Sequence, residues 1–123
     1  MRWRVGLALL VVTACQAAPA SRAEVTLSEF DIDTSAASFR EGDVELDVVN
    51  SGSFGHTLVV TDSEGNVIDA GELIPPSGET SVELELGPGR YQLTCRIVGQ
   101  DDEGNIVDHY QRGMAGTITV EGA

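Results

Sequence analysis

From residue 24 onward the chain never sustains apolar residues at helical spacing. Its apolar residues come in short runs, and the clearest of them alternate strictly. Val44-Glu45-Leu46-Asp47-Val48 is one, and Ser81-Val82-Glu83-Leu84-Glu85-Leu86 is another. Successive strand residues point to opposite faces, so period two means one buried face and one wet face. A chain built only of such pieces must bury sheet against sheet. Turn chemistry cuts the runs at Asn50-Ser51-Gly52-Ser53, Glu64-Gly65-Asn66, Pro75-Pro76-Ser77-Gly78 and Gly87-Pro88-Gly89. The pattern predicts an all-β domain, an antiparallel sandwich of seven or eight strands.

Taken in order, Val25, Leu27, Phe30 and Ile32 point inward only if the chain changes face between Leu27 and Phe30, and a bulge supplies such a change. Residues 35–41 connect, with room for a short strand. Thr57 to Thr61 is a compact apolar strand entered at His56, and Val67 to Leu73 is a further extended run. Arg90 to Ile97 and Ala115 to Val120 complete the set. Aromatics are few, so the core rests on Val, Leu and Ile. Glu64-Gly65-Asn66-Val67-Ile68-Asp69 is echoed by Glu103-Gly104-Asn105-Ile106-Val107-Asp108. Six residues are too few for a repeat architecture, and the echo reads as two similar turn-then-strand solutions.

The first residues have another character. Arg2 and Arg4 precede an apolar run, Val5 to Thr13, whose nine residues are too few to span a bilayer as a helix, which takes roughly 20. This reads as an export signal. It ends in Val12-Thr13-Ala14-Cys15, which resembles a bacterial lipobox, where the cysteine becomes the lipidated first residue. Ser21-Arg22-Ala23 offers an ordinary cleavage site instead. The expected division is a signal over 1–15, a small-residue tether over 16–23 and one domain over 24–123. About 100 residues suffice for one core and no more. The expected location is outside the cytoplasm, in the periplasm or at the outer cell surface, with membrane attachment only through lipid on Cys15.

Twenty acidic residues face seven basic ones, none of them lysine, for a net charge of −13. A chain processed at Cys15 keeps five of the seven. Nucleic-acid binding needs a basic face and is excluded on this ground, as are anionic membrane surfaces. A protein partner with a basic face suits the charge, and so does a solvated acidic surface in a salty medium.

Chemistry gathers near the end of the chain. Cys95 is the sole cysteine beyond the leader, Met114 the sole methionine after the initiator, and His56 and His109 the only histidines. An exported lone thiol is open to oxidation unless it is buried or metal-bound. A soft thiolate, two imidazoles and a thioether suit copper. Each residue also has a plain structural reading: a core cysteine, a strand-end histidine, a surface histidine and a core methionine. Zinc accepts one cysteine and two histidines, but the thioether favours a softer ion. A Cys–His nucleophile pair has Asp108 beside His109 but no recognisable oxyanion arrangement.

The pattern resembles the cupredoxins, the blue-copper family, across residues 24 to 123. Asn50-Ser51-Gly52 followed by His56 resembles the turn and first histidine ligand. Tyr91-x-x-x-Cys95 resembles the strand that delivers the thiolate. His109-x-x-x-Gly113-Met114-Ala115-Gly116-Thr117-Ile118-Thr119-Val120 resembles the second histidine, the axial methionine and the closing strand. The resemblance implies a Greek-key β-sandwich holding one type 1 copper ion. Its ligands would be His56, Cys95 and His109, with Met114 as a weak axial thioether. It also implies a supporting turn at Asn50 and a backbone N–H from Thr57 to the sulfur.

Plastocyanin-like members place only a few residues between the cysteine and the second histidine, and here residues 96–108 intervene. That insert can close as a hairpin. Pairing Arg96 with Asp108, Ile97 with Val107 and Val98 with Ile106 puts a polar turn around Gln100 to Gly104 and sets Cys95 directly opposite His109. Asp101, Asp102 and Glu103 would form the tip of a flap beside the site.

The function this implies is an exported single-electron carrier, not an enzyme. Its partner would be a redox protein with a basic face, such as a cytochrome or a copper oxidase. Two alternatives stand beside it. One is a copper chaperone or storage module of the same fold, which would give up its metal readily to a competitor. The other is a metal-free β-sandwich interaction domain, which would leave Cys95 open to alkylation.

Overall fold

The alternating run that ends at Asn50 forms the longest strand in a computed structural model that describes residues 18–122. In this strand, β4 (Gly42–Asn50), Val44, Leu46, Val48 and Asn50 are buried while the residues between them lie nearer the surface. β1 (Arg22–Ser28) buries Ala23, Val25 and Leu27 by the same alternation. β2 (Asp31–Thr34) comes after a two-residue turn, then the short β3 (Ser38–Arg40). β5 (Val59–Thr61), β6 (Val67–Asp69), β7 (Glu79–Leu86), β8 (Gly89–Thr94), β9 (Val98–Gln100), β10 (Ile106–Asp108) and β11 (Ala115–Glu121) complete the chain.

Two sheets enclose the core. One has the order β2-β1-β4-β7, the other β3-β11-β8-β5-β6. Val25, Leu27, Leu46 and Val48 of the first sheet share one buried cluster with Phe39, Val60, Leu93 and Ile118 of the second. Phe39, the largest fully buried side chain, enters from the three-residue β3. The connections after β2, β3, β4, β6 and β7 each cross from one sheet to the other. The all-β sandwich is therefore as expected. The sheets are mixed rather than purely antiparallel: β1 runs parallel to β4, with Val25 beside Val48, and β11 parallel to β3, with Val120 beside Phe39. Among the described residues the strands number eleven, because short edge pieces such as β3 and β6 have no alternation long enough to mark them.

Among the described residues β9 and β10 pair only with each other, as a two-stranded ribbon outside both sheets. The insert thus forms a hairpin, in a different register from the one expected. Val98 pairs with Asp108, Gly99 with Val107 and Gln100 with Ile106. The turn sits one residue later, closed by Asp101 N–H to the Asn105 carbonyl. Asp101 sets it, because its carboxylate accepts the N–H groups of Glu103 and Asn105 and the Asn105 side-chain amide.

At the amino end, β1 begins at Arg22, and Ala20 bridges to Phe39. Residues 20–23, expected to end a tether, take part in the sheets. The leader and Cys15 lie outside the described residues.

Candidate metal centre

The site is built by three segments at one end of the sandwich. The first comes after β4. Asn50 is fully buried, and its side chain ties the loop beyond it. Nδ2 donates to the carbonyls of Phe54 and Ile74, at 2.8 and 2.9 Å, and Oδ1 accepts the Gly52 N–H. Ile74 in turn exchanges both backbone hydrogen bonds with His56. The loop is short, polar and buried at its base, so these bonds rather than apolar packing hold His56 in place.

The second segment is the end of β8. Tyr91, Leu93 and Thr94 are buried, and Cys95, just beyond the strand, is fully buried. Its N–H meets the Met114 carbonyl at 3.3 Å. Thr57 N–H donates to Cys95 Sγ at 3.4 Å, the contact expected of it, and Thr57 Oγ1 lies 3.8 Å from the same sulfur. Thr57 Oγ1 also accepts the Arg96 N–H, so one threonine braces both sides of the cysteine.

The third segment is the turn from His109 to Met114. Asp108 initiates it, accepting the Gln111 N–H on its carboxylate and the Arg112 N–H on its carbonyl. Gly113 closes it with φ +98°, a left-handed conformation that glycine adopts at little cost. The Met114 N–H then returns to the His109 carbonyl at 3.1 Å. Met114 is fully buried, and its backbone is tied to both His109 and Cys95.

Three donor atoms converge there. His56 Nδ1 and His109 Nδ1 are 3.1 Å apart, and Cys95 Sγ lies 3.8 Å from the first and 3.5 Å from the second. A point in the plane of these three atoms lies about 2.0 Å from each, close to the ~2.0–2.3 Å at which imidazole nitrogen and thiolate sulfur bind a transition metal. Two neutral imidazoles that face each other through Nδ1 share one proton at most, which leaves a lone pair turned inward. Burial and the neighbouring His56 push the His109 imidazolium below its ordinary pKa, against the opposing pull of Glu29 and Asp108. His109 is therefore neutral at pH 7, the form that binds metal.

His56, Cys95 and His109 thus come together, with Met114 buried beside them, and Asn50 and Thr57 touch the segments they were expected to support. The expected facing of Cys95 and His109 across the ribbon does not occur. The His109 N–H bonds to the Ile97 carbonyl, and Cys95 pairs with Met114 instead. Cys95 Sγ and the His109 ring converge through the turn of residues 109–114, not through the base of the hairpin.

Glu29 carries no sequence signal of a role at the site, yet it is part of it. Its Oε1 accepts the N–H groups of Ser53 and Phe54, both at 2.7 Å, and lies 3.4 Å from His56 Nε2. Burial would raise this carboxyl, but the amides of Phe54, Glu29 and Ser53, with His56 nearby, outweigh it and hold the group below the usual carboxylate range. Phe30, the next residue, sets its ring edge-on to His109 at 5.2 Å. A mostly apolar groove of about 480 Å³ opens over this end, lined by Phe30, Phe54, Leu73, Ile97, Val107 and His109. His109 reaches it, while His56 is sealed beneath.

No protein-family model matches the chain, and no curated protein matches it by sequence. Solved structures do match in fold. The reduced auracyanin of Roseiflexus castenholzii superposes with a TM-score of 0.66 at 18% identity, over 85% of this chain and 99% of that one. Amicyanin from Paracoccus versutus gives 0.52 at 14% identity, over 85% and 86%. A multicopper oxidase gives 0.53 at 14% identity, with 82% of this chain on 42% of that one. The fold is that of the cupredoxins, and the His, Cys, His cluster with Met114 nearby fits a single type 1 copper site.

Proposed function

We propose that this chain is an exported blue copper protein that carries single electrons between redox partners. The observation that carries the reading is the triangle of Cys95 Sγ and the two histidine Nδ1 atoms, closed to within 3.8 Å in a fully protein-lined corner. His56, Cys95 and His109 would hold the ion, with Met114 as the weak fourth ligand. Bound there, copper supplies one-electron Cu(II)/Cu(I) chemistry.

The remaining residues support transfer rather than transformation of a substrate. Cys95 and His56 are fully buried, and Thr57, Ile74 and the 109–114 turn fix the ligands. A rigid, pre-formed ligand set resists the large reorganisation that would slow electron exchange, and it disfavours the ready release expected of a copper carrier. His109 is the ligand that lines the apolar groove, and it is the natural exit for the electron. The groove has room for a partner's apolar surface, which suits a carrier of electrons.

The partner we favour is a redox protein with a basic face, a cytochrome or a copper oxidase, steered by the charge of −13. Export to the periplasm or outer surface, with lipid on Cys15, completes the reading. It is supported by the leader and by the cysteine that stands where its apolar run stops.

The test is optical. Purified protein given Cu(II) should develop an intense charge-transfer band in the visible, and Cys95→Ser should abolish it. A colourless wild type with Cys95 open to alkylation would overturn the reading in favour of a metal-free domain. Partner reduction rates should fall steeply between low and high salt. Rates that ignore salt would remove the steering.

A further inference from the structure

Glu29 lies on the two-residue turn between β1 and β2, and the copper reading leaves it without a role. Three observations give it one. The carboxylate is anchored: Oε1 accepts two backbone N–H groups of the His56 loop at 2.7 Å each. It is aimed: Oε1 lies 3.4 Å from His56 Nε2, a buried nitrogen with no hydrogen-bond partner of its own among the described residues. And it is given room: a Cβ built on Gly52 would lie 2.6 Å from both carboxylate oxygens, so the seat exists because residue 52 has no side chain.

At 3.4 Å the contact to Nε2 is longer than a well-formed hydrogen bond, which runs to about 3.2 Å. Among the described residues Nε2 has no competing acceptor. An imidazole that binds metal through one nitrogen donates its other N–H to an acceptor, and a carboxylate there fixes the tautomer and raises the basicity of the ligating nitrogen. Negative charge close to a metal also favours its higher oxidation state.

We propose that Glu29 is the positioning residue of the copper site. Its carboxylate takes the Nε2–H of His56, turns Nδ1 toward the metal and biases bound copper toward Cu(II). This rests on the copper reading above and adds to it the residue that sets the potential.

Two variants test it by different routes. Glu29→Gln keeps the length and an oxygen for the Ser53 and Phe54 amides but removes the charge. Gly52→Ala leaves Glu29 chemically intact and displaces its carboxylate, which is the movable end of a flexible side chain; the backbone at Gly52 is not left-handed. Both variants should weaken Cu(II) relative to Cu(I) about tenfold, which for a one-electron couple is a rise of about 59 mV in reduction potential. In the diamagnetic reduced protein, the His56 Nε2–H resonance should exchange slowly with solvent in the wild type and faster in Gly52→Ala. A purely structural brace would shift the unfolding midpoint and leave the potential alone. A preference for Cu(II) over Cu(I) within twofold of wild type in both variants would therefore overturn the proposal while leaving a blue copper protein in place. A wild type that forms no charge-transfer band would instead overturn the copper reading on which it stands.

Discussion

Asn50 shows how much a single polar side chain can hold. Its Nδ2 binds two carbonyls and its Oδ1 one amide, and one of those carbonyls, on Ile74, also receives the His56 N–H. Asn50→Ala deletes three hydrogen bonds and leaves the Phe54 carbonyl and the Gly52 N–H without their partner at the root of the His56 loop. Leaving a buried polar group unpaired costs about 1–3 kcal/mol, so the variant should lose about 2–3 kcal/mol of unfolding free energy, measured by urea titration of the metal-free protein. A loss below about 0.5 kcal/mol would mean that water replaces the amide and the loop is held otherwise. The cluster of His56, Cys95 and His109 was legible in the sequence, because the chain has so few soft or imidazole groups that each one counted. Asn50 was legible as turn chemistry, but not its reach to Ile74, 24 residues away. Glu29 was not legible at all. One acid among twenty has no pattern, and only the fold brings its carboxylate against Gly52 and His56.

At the scale of elements, the two echoed segments prove to be one turn used twice. Asp62 accepts from the N–H groups of Glu64 and Asn66 and from the Asn66 side chain, and Asp101 does the same for Glu103 and Asn105. Gly65 and Gly104 take the left-handed position in each, at φ +85° and +81°. The echo extends two residues further back than the shared Glu-Gly-Asn, to these aspartates, and that extension carried the register of the insert. Without it the hairpin was centred one residue early. The strands that the two turns join are held differently. β5 belongs to a five-stranded sheet, whereas β9 and β10 have only each other. An isolated two-stranded ribbon is marginal in water. Asp101→Ala should therefore free the ribbon locally. Amide exchange at Gln100, Asn105 and Ile106 should rise tenfold or more by NMR, with the global unfolding free energy unchanged within about 0.5 kcal/mol. Asp62→Ala should instead lower global stability, because its turn closes onto the sheet. Equal effects from both would show that the ribbon is docked more firmly than its pairing indicates.

For the whole molecule, the strand pairings and the charge set the terms. Period two identified strands and their buried faces, but not that β1 would lie parallel to β4, or β3 to β11. Those pairings bring together residues distant in sequence, and alternation within a strand says nothing of its neighbour. The acidic balance was plain from the sequence, and its consequence for stability depends on which carboxyls gain partners. Asp47 is lowered by its bond to Arg22, against burial, with the charge of Arg22 and Ser81 adding to the effect. Asp62 is lowered by the Asn66 side chain and the turn amides, and Asp101 by the Asn105 amide and side chain. Glu29 is lowered too, its seat of backbone amides outweighing burial. A carboxyl whose folded pKa lies below its unfolded value adds stability above the unfolded value, near 4, and loses it as pH falls through the folded one. All four shifts have this sign. Repulsion among the remaining acids works the other way, since protonation relieves it, but most of those groups are exposed and screened by salt. The metal-free protein should therefore lose stability from about pH 5 to pH 2.5, read as a falling denaturant midpoint. Asp62→Asn should be less stable than wild type at about pH 5, with the gap closing as pH approaches about 2.5. At pH 7, with twenty acidic residues against seven basic ones, added sodium chloride should raise the midpoint by screening the excess of acids. A midpoint that climbs on acidification would mean that self-repulsion, not the bonded aspartates, governs the acid limb.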